Sequence, residues 1–198
     1  MSGPLLSRAS YEFMQRLARF SGVRRATMAR ARSGAVPSDQ PLSTAAADPV
    51  QASAGTATIL ADLERDGLAP HLRLRPDVVA DIQRWADSHP CFAYENPAHG
   101  FLPAQRPQAE AALGRPILKA VYFNPDQDCA AMRALCDSPQ VHAIAQAYLG
   151  AGARLVSRQL WWTFPTQADE KTRKKAAHFF HRDIDDWAFL KFFFYITP

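Results

Sequence analysis

The chain has 198 residues, 47% of them hydrophobic and 21% charged, with a formal net charge of +4. That length accommodates one domain with a sizeable core but not two large ones, and the composition is that of a globular chain. The longest apolar run, about ten residues broken by Lys191, falls well short of the roughly 20 needed to cross a bilayer, which excludes a membrane span of the helical kind.

The basic excess is not spread evenly. Arg8, Arg16, Arg19, Arg24, Arg25, Arg30 and Arg32 all fall in the first 37 residues, where Glu12 is the one acid. The remainder is close to neutral, so the sequence predicts no nucleic-acid footprint on the folded part. Cys91, Cys129 and Cys136 form no C-x-x-C or other metal spacing, and an odd number does not suit a secreted disulfide framework. They read as core or near-core thiols in a reducing compartment, hence a cytoplasmic chain.

Residues 1–58 are rich in Ala, Ser, Arg, Pro and Thr and offer little to bury, so they read as a disordered extension. Within them "YEFMQRLARF" sets Tyr11, Met14 and Leu17 at helical spacing among arginines. That Arg-rich, acid-poor character resembles a mitochondrial presequence, the alternative location. It also suits an adaptor for an anionic surface, a reading that predicts binding lost with residues 1–37 and abolished by salt.

Order is expected from Ile59 to Pro198. "ILADLERDGLAPHLRLRP" predicts a short helix stopped at Gly67 and then an extended run. Pro76 takes the first helical position of a segment whose Val78, Ile82 and Trp85 share one face. "PAHGFLPAQRPQAEAALGRP" reads as a long loop or broken helix, and "ILKAVYF" has strand composition. Two helices follow. Asn124 caps the first, with Pro125 in its first turn, and Cys129 and Cys136 stand seven apart on it. Ser138 and Pro139 repeat the device, and Gly150 closes the second helix. Val141, Ile144, Ala145 and Tyr148 form its buried stripe, while His142 lies off the stripe and reads as solvated or locally bonded.

From Arg154 the pattern turns to strands: "RLVSRQLWWTF", a charged connection "PTQADEKTRKK", a short "AAHFFHRD", a turn at "IDDW", and "AFLKFFFYIT". The last carries Phe189, Phe193 and Tyr195 on one face and Leu190, Phe192, Phe194 and Ile196 on the other. With both faces apolar, it belongs inside a sandwich or barrel.

Side chains two apart on a strand share a face, so His181 and Asp183 are presented together with Arg182 turned away. An imidazole and a carboxylate side by side are two of the three protein ligands of the two-His-one-carboxylate facial triad. Chance supplies about 0.4 such His-x-Asp pairs in a chain of this composition, so the bare motif carries little by itself. His178 falls on the opposite face, and Asp185 and Asp186 read as a solvated turn.

The context adds to it. "YLGAGARLVSRQLWWTFP" followed by "FFHRDIDDWAFLKFFFYIT" resembles the phytanoyl-CoA dioxygenase family of Fe(II)/2-oxoglutarate-dependent oxygenases, closely over 138–198 and more loosely over 59–137. The resemblance implies an α+β fold with a mainly β core, a double-stranded β-helix (jelly-roll) with flanking N-terminal helices. It implies Fe(II) held by His181 and Asp183, with 2-oxoglutarate as cosubstrate and O2 as oxidant. The reaction implied is decarboxylation to succinate coupled to hydroxylation of a small-molecule substrate. Lys191 and Gln159 are candidate cosubstrate contacts, and Trp161 a pocket-lining residue. In that family a distal His and then an Arg lie further downstream. After Asp183 this sequence has neither, so the expectation is a jelly-roll cut short at its C-terminus. The alternative is a catalytically inactive jelly-roll fragment or binding module.

Overall fold

The computed structural model describes residues 8–32, 48–165, 170, 183 and 185–197. Among them it forms eight α-helices and six short strands, arranged as a two-stranded and a four-stranded antiparallel sheet. The mixed α+β class is as expected. Helices make up most of it rather than strands, and neither sheet closes on itself.

At the N-terminus, α1 (Arg8–Leu17) and α2 (Ser21–Arg32) follow one another. Met14 and Ala18, one helical turn apart, are 1% and 0% exposed, and α2 packs against α8 (Pro139–Leu149). A disordered extension to residue 58 is therefore not what the described part of that segment shows. A narrow apolar stripe is enough to bury one side of α1, because packing of one face and not helix propensity supplies most helical stability.

The second departure is β1 (Val50–Ala52), which pairs with β2 (Leu72–Leu74) in the register Val50↔Leu74 and Ala52↔Leu72. Just ahead of it Asp48 is 7% exposed. Its Oδ1 accepts from the Val50 amide at 2.9 Å and from Ser138 Oγ at 2.8 Å, and its Oδ2 accepts from the Gln140 amide at 3.2 Å. A buried carboxylate is tolerated because donors surround it and because it lies at the positive end of α8.

Between those strands α3 (Thr56–Asp66) buries Ile59 and Leu63, four apart, and stops at Gly67. There the backbone turns left-handed (φ 72°) and its amide donates to Leu63 O at 3.1 Å, the glycine stop the sequence predicts. In α4 (Pro76–Ser88) Pro76 opens the helix as expected, and Ile82 and Ala86 form the buried face with Trp85 packed beside them.

The larger sheet runs β4 (Gly100–Phe101), β3 (Cys91–Ala93), β5 (Lys119–Tyr122), β6 (Leu160–Thr163). On β5 burial alternates, with Ala120 and Tyr122 turned to the core. The Tyr122 hydroxyl donates to Ala86 O at 2.6 Å and accepts from Trp162 Nε1 at 2.7 Å, which ties α4 to the sheet. Gly100 lies opposite Phe92, and a Cβ there would stand 2.9 Å from Phe92 Cε1. The β3–β4 connection turns through Tyr94 and Glu95, both with positive φ (57° and 56°), closed by the Asn96 amide on Ala93 O at 3.1 Å.

The stretch expected as a loop or broken helix contains α5 (Arg106–Leu113), closed by Gly114 at φ 63°. The single helix expected after Asn124 is two: α6 (Pro125–Asp128) and α7 (Ala130–Cys136), parted at Cys129, whose ψ of 107° leaves the helical region. Asn124 is itself left-handed (φ 48°) and makes no side-chain cap. Ser138 does cap α8, its Oγ accepting from the Val141 amide at 3.2 Å. Of the stripe expected on α8, Ile144 is fully buried beside Gln140, and Val141, Ala145 and Tyr148 are half-buried. His142 bonds locally to Cys136 O at 2.9 Å. All three cysteines carry free thiols.

Residues 189–197 are extended in exposure pattern yet pair with no strand among the described residues. Leu190 and Phe192 pack on Ile59, Leu63 and Ile144, while Phe194 and Ile196 pack on the cluster of Val50, Leu74, Ile82, Cys129 and Met132. Gln83 Nε2 donates to Ile196 O. The alternate side faces outward, with Phe193 59% and Tyr195 91% exposed. The segment is thus a one-sided cover over the helices and not a strand buried on both faces. Helices α3, α4, α7 and α8, with Val50 and Leu74 of the small sheet, supply enough apolar surface to take one face, and among the described residues the other meets Trp161, edge-on to Phe193.

Candidate functional site

Of the two expected iron ligands, His181 lies outside the described residues, as does His178. Asp183 is described, and it does not stand apart from its surroundings. Its Oδ2 lies 2.5 Å from Lys191 Nζ, and the same ammonium lies 2.7 Å from Asp185 Oδ2. The bend at 185–188 makes this possible by folding the chain back over eight residues, with Asp186 Oδ1 accepting from the Trp187 amide at 2.6 Å. Lys191 also lies over the Phe189 ring, 5.5 Å from its centroid.

The electrostatics follow from that geometry. Partial burial alone lowers the Lys191 pKa, but the bonds to Asp183 and Asp185 outweigh it and hold the ammonium above its ordinary range. Side-chain exposures of 36% for Lys191 and 37% for Asp183 leave the pair well solvated. It is worth no more than about 1 kcal/mol.

The fit to a ferrous ion can be tested on this arrangement. Two carboxylate oxygens converge on one positive centre, the donor chemistry that a hard divalent cation uses. Lys191 stands in for such a cation, so the donors suit one and the ammonium competes for the same oxygens. Among the described residues, no group of three or more His, Cys, Asp or Glu side chains is placed to hold a metal.

The other expected contacts separate. Lys191 reaches Asp183, so the turn between them does bring the two to one side. Gln159 is exposed ahead of β6, and its amide donates to Ser157 Oγ at 3.3 Å. Trp161 is half-buried on β6, edge-on to Phe193 at 6.4 Å with Lys119 over its ring. Asp185 is the participant that sequence reasoning set aside as a solvated turn residue. The signal was present in the spacing, since Asp183 and Asp185 stand two apart just as His181 and Asp183 do.

Beside this segment lies a shallow cleft of about 430 Å³ lined by Ala9, Ser10, Phe13, Met14 and Trp187. It joins α1 to the bend that carries Asp185. No helix among the described residues is long and apolar enough to cross a membrane. In comparisons with family models, with curated proteins and with solved structures, nothing matches this chain.

Proposed function

We propose that this chain carries the metal-binding segment of an Fe(II)- and 2-oxoglutarate-dependent dioxygenase of the phytanoyl-CoA dioxygenase type, built on a jelly-roll. The observation that carries the reading is the His181-x-Asp183 pair running through a turn into a long aromatic segment. The convergence of Asp183 and Asp185 on a cation supports it. In this reading His181 and Asp183 hold the iron, and Lys191 sets the charge around Asp183. The iron, when bound with 2-oxoglutarate and O2, supplies the oxidising power for hydroxylating a C–H bond of a small-molecule substrate. The chain's own contribution is to fix one carboxylate beside a bend that the apolar segment 189–197 anchors to the helices.

The test is binding before turnover. Mn(II), a redox-quiet stand-in for Fe(II), is titrated into the chain by calorimetry and by its electron paramagnetic resonance signal. One ion per chain is expected, with His181→Ala and Asp183→Ala each weakening binding about tenfold or more. Equal affinity in all three proteins would refute the assignment. Succinate release from 2-oxoglutarate under Fe(II) and O2 then tests the reaction itself.

A second reading, a binding module without catalysis, is favoured by the same ion pair, because Lys191 already neutralises Asp183. It predicts that Mn(II) fails to displace the ammonium and that no succinate forms.

A further inference from the structure

We propose that helices α1 and α2 form a docking surface for an anionic lipid bilayer. This does not rest on the oxygenase reading. Its basis is where the structure puts the charge and the exposed aromatics of residues 8–32.

Met14 and Ala18 bury one side of α1, and α2 packs on α8. The arginines are therefore carried by two helices and, for Arg19, by the turn between them, with α2 packed on the fold. On the outer side Phe13 is 61% and Phe20 64% exposed, and Arg16, Arg19, Arg25 and Arg30 are exposed with them. Phe13 and Arg16 stand three apart on α1 and are surface neighbours. Residues 8–32 hold seven arginines against one glutamate, more positive charge than the +4 of the whole chain. The basic charge is thus concentrated in this segment of the chain, and its complement is an extended negative surface.

Two features select a bilayer over a polynucleotide. Large aromatic side chains left in water beside arginines match the interfacial helices that lay apolar groups among lipid headgroups while cations meet the anionic lipids. The cleft that Phe13 and Met14 form with Trp187 is walled mainly by apolar groups, Ser10 being its one polar side chain, which suits hydrocarbon better than phosphate or base edges. An arginine near an anionic membrane contributes about 1 kcal/mol, or roughly fivefold in affinity, so four together attach the chain reversibly without a membrane span.

The experiment is flotation of the full chain with extruded vesicles of phosphatidylcholine alone or with about 30% phosphatidylserine, at low salt and at about 0.5 M salt. The expected result is binding to the anionic vesicles at least tenfold tighter than to the neutral ones, and lost at high salt. Arg19→Gln with Arg25→Gln should weaken it roughly 25-fold. Phe13→Ser with Phe20→Ser should weaken it about tenfold, with an unchanged melting temperature because both side chains are exposed. An independent readout needs no such variants: brominated lipids should quench the emission of Trp187 in the unmodified chain, and Trp187→Phe should remove that component. Equal partition into neutral vesicles, an effect of the arginine changes without any of the phenylalanine changes, or tighter binding to a duplex oligonucleotide than to anionic vesicles would overturn the proposal.

Discussion

Ser138 Oγ donates to Asp48 Oδ1 at 2.8 Å across ninety positions of sequence, and in turn accepts from the Val141 amide at the start of α8. The carboxylate also takes the amides of Val50 and Gln140, so one side chain fixes the entry of β1 and the first turn of α8 together. Hydrogen bonds to a buried charge are worth about 1.5–3 kcal/mol each when one partner is removed, and they do not add fully. Asp48→Ala is expected to lower the unfolding free energy by about 2–4 kcal/mol in urea denaturation, and Asp48→Asn by less, since one acceptor oxygen survives. A loss under about 0.5 kcal/mol for both would show that the contact is not part of the fold in solution.

The terminal aromatic segment gives a prediction of unequal size on alternate residues. Phe194 and Ile196 pack on the Ile82 and Met132 cluster, whereas Tyr195 between them is 91% exposed. Phe194→Ala is expected to cost about 2–3 kcal/mol, less than a fully buried phenylalanine because Phe194 is only partly buried, and Tyr195→Ser to change stability by less than about 0.5 kcal/mol. Had both faces been buried, the two changes would cost alike. The same measurement therefore separates a one-sided cover from an interior strand.

Stability at alkaline pH should report on Cys91. Burial pushes its thiol from the ordinary 9.0 up to about 11. The folded pKa is the higher one, so the contribution is fully present below pH 9. It is lost as pH rises towards about 11, because the unfolded chain gives up the proton first. A shift of that size corresponds to about 2–3 kcal/mol across the window. Burial also raises the Tyr122 hydroxyl, which steepens the fall. Cys91→Ala should lower stability at neutral pH and flatten its decline between pH 9 and 11. An unchanged slope would place the thiol in contact with water.

Lys191 offers a test of what Asp183 is for. The ammonium and a metal ion compete for Asp183 Oδ2 and Asp185 Oδ2, so Lys191→Met should raise Mn(II) affinity about fivefold, the equivalent of one solvated ion pair near 1 kcal/mol. Thermal stability should hardly move. Unchanged affinity would mean that these oxygens are not where the metal sits.

Local grammar made much of this fold legible. Gly67, Pro76, Ser138 and Gly150 act through the backbone geometry of a few neighbouring residues, and each stop or start appears where the sequence put it. Asp48 was not legible, since nothing in "ADPV" discloses donors ninety positions away. The break at Cys129 has no local marker, since residues 126–137 contain neither Gly nor Pro. Alternation in "FLKFFFYIT" marked the two faces correctly but could not say that helices, instead of a second sheet, receive one of them. At the candidate site, the spacing of Asp183 placed a carboxylate by a bend. Its partner Lys191 depended on how tightly that bend returns.

The consecutive left-handed residues Tyr94 and Glu95 point to an engineering route. A side chain in that conformation forfeits roughly 1–2 kcal/mol relative to glycine, and Tyr94 is kept there by its hydroxyl on Pro116 O at 2.7 Å and by Arg115 against its ring. Among the described residues Glu95 has one exposed pairing, with Lys119 at 3.3 Å. Glu95→Gly should therefore harden the protein by about 1 kcal/mol, leaving a sturdier scaffold on which costlier substitutions elsewhere can be examined.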